Sequence, residues 1–233
     1  MITTTTYQDN NGIIAGKFFI WDLDFERLFI KEIWDDKYYF ANGFEVKAGM
    51  KVLDIGGHIG TFSVLAEKMG ADVVAFEPIL ENYKRLLINL NMNECTSTIP
   101  VLSAIGKNQR FDYINIENEE NTNRNTGTSY IGRSKQGFHQ EPIVVLGIHE
   151  VLTRFGDFDY IKLDCEGSEY EILESINFDL FPKIKYLTME FHGGSEATTL
   201  PKAKKLQSYL EERGFQTFLD YAWGCQGRLQ AKR

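Results

Sequence analysis

The stretch Val52-Leu53-Asp54-Ile55-Gly56-Gly57-His58-Ile59-Gly60-Thr61 constrains this chain more than any other. A short apolar run reads as a buried strand, the glycines as a turn, and the apolar positions that follow at helical spacing as an amphipathic helix closed by Gly70. A second buried strand, Asp72 to Glu77, then ends on a carboxylate followed by Pro78. Glycines admit close backbone approach, a helix start presents free N–H groups, and a carboxylate at the end of the second strand accepts hydrogen bonds from a ribose diol. The stretch predicts a βαβ unit built for a nucleoside-containing ligand.

The rest of the chain repeats the alternation. A helix over Ile79 to Asn91, expected to bury Leu80, Tyr83, Leu87 and Leu90, leads to a third strand over Ile99 to Ala104. A strand at Pro142 to Leu146, a helix at Ile148 to Phe155 and a fourth core strand at Tyr160 to Asp164 come later. Ser168-Glu169-Tyr170-Glu171 reads as a capping box opening the next helix. Strand five spans Tyr186 to Phe191, a long helix runs from Thr199 to Arg213, and two strands close the chain near Phe215 to Tyr221 and Arg228 to Ala231. Strands alternating with helices define an α/β doubly wound sheet. With no repeat or linker, residues 1–233 are expected to form one domain. Its aromatic N-terminal segment, residues 1–45, is expected to fold as a hairpin and helix capping the sheet, and residues 106–142 as a hairpin or lid inserted beside it.

Composition narrows the partners. A formal charge of −8 and a pI near 5.1 give no basic footprint, which argues against nucleic acid. Cys95, Cys165 and Cys225 are odd in number and far apart, which argues against a disulfide framework or a structural zinc and favours a reducing, cytoplasmic setting. No apolar run reaches membrane-spanning length, so no membrane partner is expected. The aromatic N-terminal segment leaves a homodimer face open.

The turn is not the dinucleotide fingerprint, because Gly56, Gly57 and Gly60 have the wrong spacing and His58 stands where a pyrophosphate needs glycine. What remains, Asp-x-Gly-x-x-x-Gly with an acidic end to strand two, is the pattern of an S-adenosylmethionine pocket. In that reading Gly56, Gly57, Gly60 and Thr61 admit the amino-acid part, Asp54 orients the turn and its ligand, Glu77 and Pro78 hold the ribose, and Ser103 and Ala104 wall the adenine. Ile79 could cover the ring.

Val52 to Thr61, Phe76-Glu77-Pro78 with Asn82 and Asn89, and above all Ile161-Lys162-Leu163-Asp164-Cys165-Glu166-Gly167-Ser168-Glu169 resemble the FkbM family of S-adenosylmethionine-dependent methyltransferases. The resemblance covers about Lys31 to Gly193. It implies the class I methyltransferase fold, Rossmann-like, with a mostly parallel seven-stranded sheet, an antiparallel last strand and here a β-rich cap. It also implies O-methylation of a hydroxyl on a sugar, polyketide or other small molecule, so a small-molecule or glycan acceptor is expected.

Asp164 and Glu166 follow the carboxyl end of strand four, where ligands bind in open α/β sheets. His192 ends strand five on the same face as Glu190. The ordered candidates for the base that takes the acceptor's proton are His192, Asp164 and Glu166. Asp164, Glu190 and His192 could instead hold a divalent cation, which is not the favoured reading. Two further readings stay open: an N-methyltransferase, although Asp164-Cys165-Glu166-Gly167 lacks the Pro-Pro-aromatic element often found there, and a non-catalytic cofactor-binding or interaction module.

Overall fold

The computed structural model describes residues 3–8, 12, 14–20, 23–117, 129–132, 136–193, 195–223 and 226–233. Strands β1 (Thr3–Gln8) and β2 (Ala15–Ile20) form an antiparallel hairpin, followed by α1 (Leu23–Trp34) and a 3-10 segment, Tyr38–Gly43. The main sheet opens with β3 (Lys51–Ile55), α2 (Thr61–Lys68), β4 (Asp72–Phe76), α3 (Leu80–Met92) and β5 (Ile99–Val101). Next come β6 (Ala104–Gly106), β7 (Arg110–Glu117), β8 (Tyr130–Ile131) and β9 (Phe138–Gly147). The chain ends through α4 (Ile148–Phe155), β10 (Tyr160–Leu163), α5 (Glu169–Ser175), β11 (Tyr186–His192), α6 (Glu196–Glu211), β12 (Gln216–Trp223) and β13 (Gln226–Lys232).

The main sheet has seven strands in the order β12-β13-β11-β10-β3-β4-β5. All neighbours pair in parallel except β13, which runs antiparallel to both β11 and β12. Strand side chains alternate between two buried faces, as a parallel sheet covered by helices requires. Leu53, Val74 and Ile161 pack on one side with Leu152, Leu173 and Leu206 of α4, α5 and α6. Val52, Val73 and Tyr160 pack on the other with Leu65 of α2, Leu86 of α3 and the N-terminal residues Phe18, Ile20, Trp34 and Phe44. The N-terminal segment is stitched down by polar bonds as well. Trp34 Nε1 donates to the Thr61 carbonyl at 3.1 Å, and the Phe19 N–H donates to Asn89 Oδ1 at 2.6 Å.

Three expectations need correction. The third strand is cut in two: Ile99–Val101 belongs to the main sheet, while Ala104–Gly106 pairs in parallel with β9 in a second sheet of order β6-β9-β7-β8. Helix α3 turns a different face inward, burying Asn82, Arg85, Leu86, Asn89 and Leu90 and leaving Leu80 and Leu87 exposed. The Ser168 side chain makes no capping bond at the start of α5. Most of the polar stretch Asn118 to Ser129, and Cys225, lie outside the described residues.

Candidate active site

Two loops at the carboxyl edge of the sheet build the site, one after β3 and one after β10. In the first, the N–H groups of Gly56 and Gly57 both donate to the Phe76 carbonyl, at 3.0 and 2.9 Å, so the turn is hung on the end of β4. Gly56 has φ 83°, and a Cβ there would lie 1.8 Å from the Asp164 carbonyl oxygen. Gly60 has φ 89°, and its Cβ would meet Leu86 Cδ1 at 2.5 Å. Both glycines are therefore demanded by the protein itself. Gly57 is different: a Cβ would find only ordinary contacts, the nearest at 3.6 Å, yet the residue faces the cavity.

Asp54 is fully buried and is not among the residues that line the cavity. Its Oδ2 accepts from Ser63 Oγ at 2.6 Å, and its Oδ1 lies 3.1 Å from Lys162 Nζ. Lys162 passes this charge on to the turn by donating to the Gly56 carbonyl at 2.7 Å. The ammonium also stands 3.8 Å from Asp164 Oδ2 and 5.3 and 5.9 Å from the ring centres of Tyr39 and Phe62. Burial pulls the Lys162 pKa down, but the Asp54 and Asp164 carboxylates outweigh it and hold the group charged. The sequence contains Lys162 in the apolar run of β10, and only the assembled sheet shows why a cation belongs there.

Glu77 closes the same loop, its Oε2 accepting from the His58 N–H at 2.8 Å and its Oε1 from the Ile79 N–H at 2.9 Å and Asn82 Nδ2 at 3.4 Å. Burial pushes its pKa up to about 7 against the pull of those bonds. His58, at φ 48°, is partly buried with its ring edge-on to Phe29 at 5.9 Å; burial and the Arg85 charge push its pKa down to about 3, so the imidazole is neutral. The Asn82 Oδ1 atom is buried and has no hydrogen-bond partner.

The second loop carries the titratable groups. Asp164 Oδ2 accepts from the Tyr39 hydroxyl at 2.8 Å, a contact from the N-terminal segment that sequence reading missed. Burial would raise the Asp164 pKa, and Lys162 and His192 outweigh it to hold the carboxyl low. Glu169, fully buried, accepts from the N–H groups of Cys165 and Gly167, both at 2.9 Å, and fixes the loop ahead of α5. Glu166 sits at the tip with φ 54° and 27% of its side chain exposed. Burial is the main cause that pushes its pKa up to about 8.

His192 faces carboxylates through both ring nitrogens. Nδ1 lies 3.3 Å from Glu169 Oε1, and Nε2 lies 3.6 Å from Glu190 and 3.8 Å from Glu166. Burial favours the neutral ring, but Glu169 and Glu190 outweigh it and push the pKa up to about 12. In that charge state the ring would have to lose its proton before it could act as a base. Ligand atoms of Asp164, Glu190 and His192 lie within 4.8 Å of one another, a spacing that could hold a metal ion. Glu32 of α1 also reaches this cluster, its pKa pushed up to about 7 by burial and then by Glu190 and Asp164.

A single cavity of about 410 Å³ joins the two loops. Gly56, Gly57, Thr61, Glu77 and Pro78 line one part, and Ser103 and Ala104 form a wall where the Ser103 hydroxyl is spent on the Ala104 and Val144 carbonyls, both at 2.9 Å. Asp164, Glu166, Glu190 and His192 line the other part. Asp54 and Gly60 are not among the lining residues. A seven-stranded sheet of this order, with a glycine turn after β3 and a buried glutamate after β4, defines a class I methyltransferase.

Within that class the chain belongs to the FkbM methyltransferase family: residues 54–217 match the Methyltransferase FkbM domain. The AMB antimetabolite synthetase AmbE of Pseudomonas aeruginosa is 23% identical over 224 residues, covering 80% of this chain and 10% of that protein. The chain thus spans about a tenth of the length of the curated relative it matches. Among solved structures, Aeropyrum pernix fibrillarin in complex with natively bound S-adenosyl-L-methionine superposes with a TM-score of 0.50 at 14% identity, over 88% of this chain and 74% of that one. The Geobacter metallireducens precorrin-6y C5,15-methyltransferase gives 0.47 at 13% identity, over 81% and 82%. These likenesses concern the fold. No helix among the described residues is long and apolar enough to cross a membrane.

Proposed function

We propose that this protein methylates a hydroxyl of a sugar or other small molecule with S-adenosylmethionine as donor, and that Glu166 is the base. The observation that carries the reading is the one cavity joining the glycine turn and Glu77 to the Glu166 and His192 cluster. The donor half suits the cofactor: Gly57 is a cradle that a Cβ would fill, and the orphaned Asn82 Oδ1 beside Glu77 is a free acceptor for a ribose hydroxyl. Gly57, Thr61, Glu77, Asn82 and the Ser103–Ala104 wall would hold the donor, which supplies an electrophilic methyl on a sulfonium when bound.

The chain's own contribution is position and proton management. Asp164 is held low by Lys162 and tied by Tyr39, so it remains an anion that orients groups and is a weak base. Glu166 has the higher pKa, is partly exposed, and stands at the cavity edge, which suits a group that takes a proton near neutral pH. The His192 cation, 3.8 Å from it, holds its carboxylate in place.

The test is Glu166→Gln, assayed for methyl release and for S-adenosylhomocysteine binding. Turnover should fall about 10²- to 10⁴-fold while affinity holds. Unchanged turnover would remove Glu166 from the role, and binding without methyl release by the unaltered protein on any acceptor would favour a non-catalytic module.

A further inference from the structure

Residues 54–217 carry the match to the family domain, yet a side chain from outside that span reaches the heart of the cavity. Tyr39, in the 3-10 segment Tyr38–Gly43, is 3% exposed and lines the cavity, and its hydroxyl donates to Asp164 Oδ2 at 2.8 Å. We infer that Tyr39 is a positioning residue for the donor: it aims the Asp164 carboxylate at the sulfonium, so that the site tells the charged donor from its product, whose sulfur is uncharged. The inference rests on the methyl-transfer reading above and adds a role at the same site.

Three observations support it. First, Asp164 stands where the two halves of the cavity meet. Its N–H donates to the Ile55 carbonyl at 3.0 Å, and its own carbonyl oxygen abuts Gly56, where a Cβ would lie 1.8 Å away, so its backbone is joined to the donor turn. A methyl passing in line from sulfur to an acceptor oxygen has to cross this junction. Second, the local charges leave one anion over. Lys162 Nζ lies 3.1 Å from Asp54 and 3.8 Å from Asp164, one cation between two carboxylates. Asp54 is fully buried, whereas the Asp164 side chain is 29% exposed and lines the cavity, so the surplus negative charge is the one a ligand can reach. A partly desolvated carboxylate attracts a cation more strongly than it does in water.

Third, Tyr39 is fixed before any ligand arrives. Its carbonyl accepts from the Tyr160 hydroxyl at 2.7 Å and from Gln230 Nε2 at 3.1 Å, and its ring stands edge-on to Phe62 at 5.6 Å. The hydroxyl therefore meets Asp164 from a rigid mount, and a hydrogen bond to an ionised acceptor is among the strong ones. Positive charge leaves sulfur as the methyl departs, so an anion held here favours the donor over the product in binding.

The test measures S-adenosylmethionine and S-adenosylhomocysteine binding by calorimetry for the full chain and for Tyr39→Phe, Asp164→Asn and the double variant. Tyr39→Phe removes one oxygen and keeps the ring. The ratio of S-adenosylmethionine to S-adenosylhomocysteine affinity is expected to fall about threefold to tenfold in Tyr39→Phe, with S-adenosylhomocysteine affinity unchanged. Asp164→Asn should lower the ratio at least as much, and adding Tyr39→Phe to it should lower the ratio no further, because Tyr39 acts through Asp164. A ratio unmoved by Tyr39→Phe, an equal loss of both ligands, or losses that add in the double variant would each overturn the inference while leaving the donor reading intact. Failure of the unaltered protein to bind either ligand would overturn the donor reading and the inference with it.

Discussion

Gly56 and Gly57 are chain neighbours with different reasons to be glycine. A side chain at Gly56 would collide with the Asp164 carbonyl at 1.8 Å, whereas one at Gly57 would touch only Ala75, the Phe76 carbonyl and Asp54 at ordinary distances. Gly57→Ala should therefore fold with a melting temperature close to the parent and lose affinity for S-adenosylhomocysteine by calorimetry, while Gly56→Ala should fail to accumulate as folded protein. Equal affinity in Gly57→Ala would mean that the turn does not touch the donor. A second consequence follows from Glu166. With its pKa pushed up to about 8, turnover should rise with pH through that value as the carboxyl ionises, and Glu166→Gln should flatten the limb. A limb that survives the substitution would belong to another group.

At the scale of elements, α3 shows how a helix can bury its polar face. Arg85, almost fully buried, pairs with Glu26 of α1, while Asn89 Nδ2 donates to the Ile59 carbonyl at 2.7 Å. Asn93 bridges to β2 through the Lys17 carbonyl at 2.6 Å. Apolar periodicity pointed to Leu80 and Leu87 because it scores the helix alone. The N-terminal segment supplies partners that no helical wheel contains. Arg85→Met should cost about 3–5 kcal/mol in denaturant unfolding, since it breaks the buried pair with Glu26 from one side. Leu87→Ser, on the exposed face, should stay within about 0.5 kcal/mol. The reverse ranking would put the leucine face inward after all.

For the molecule as a whole, burial holds protons on two carboxyls and neighbouring carboxylates hold one on His192. Glu77 and Glu166 are raised from 4.5 to about 7 and about 8, and His192 from 6.5 to about 12. A raised folded-state pKa contributes stability that is complete below the unfolded value and is lost as pH rises through the folded one. The carboxyl contributions are lost between about pH 4.5 and 8, and that of His192 between about 6.5 and 12. The melting temperature of the free protein should accordingly fall as pH is raised from about 7 to 10. A flat or rising profile would show that these groups ionise freely in the fold.

By itself the sequence determined the βαβ order, the glycine turn, Glu77 and the loop from Asp164 to Glu169, because these are local: each is a run of side chains whose period or turn chemistry is complete within about a dozen residues. Only the tertiary structure decided the rest. It brought Tyr39 to Asp164 across 125 positions and set Lys162 between Asp54, Gly56 and Asp164. It also surrounded His192 with Glu166, Glu169 and Glu190. Protonation depends on distance and burial, which are properties of the assembled sheet edge. That is why the sequence found the carboxylates and the histidine together, while the charge each carries was decided by the fold.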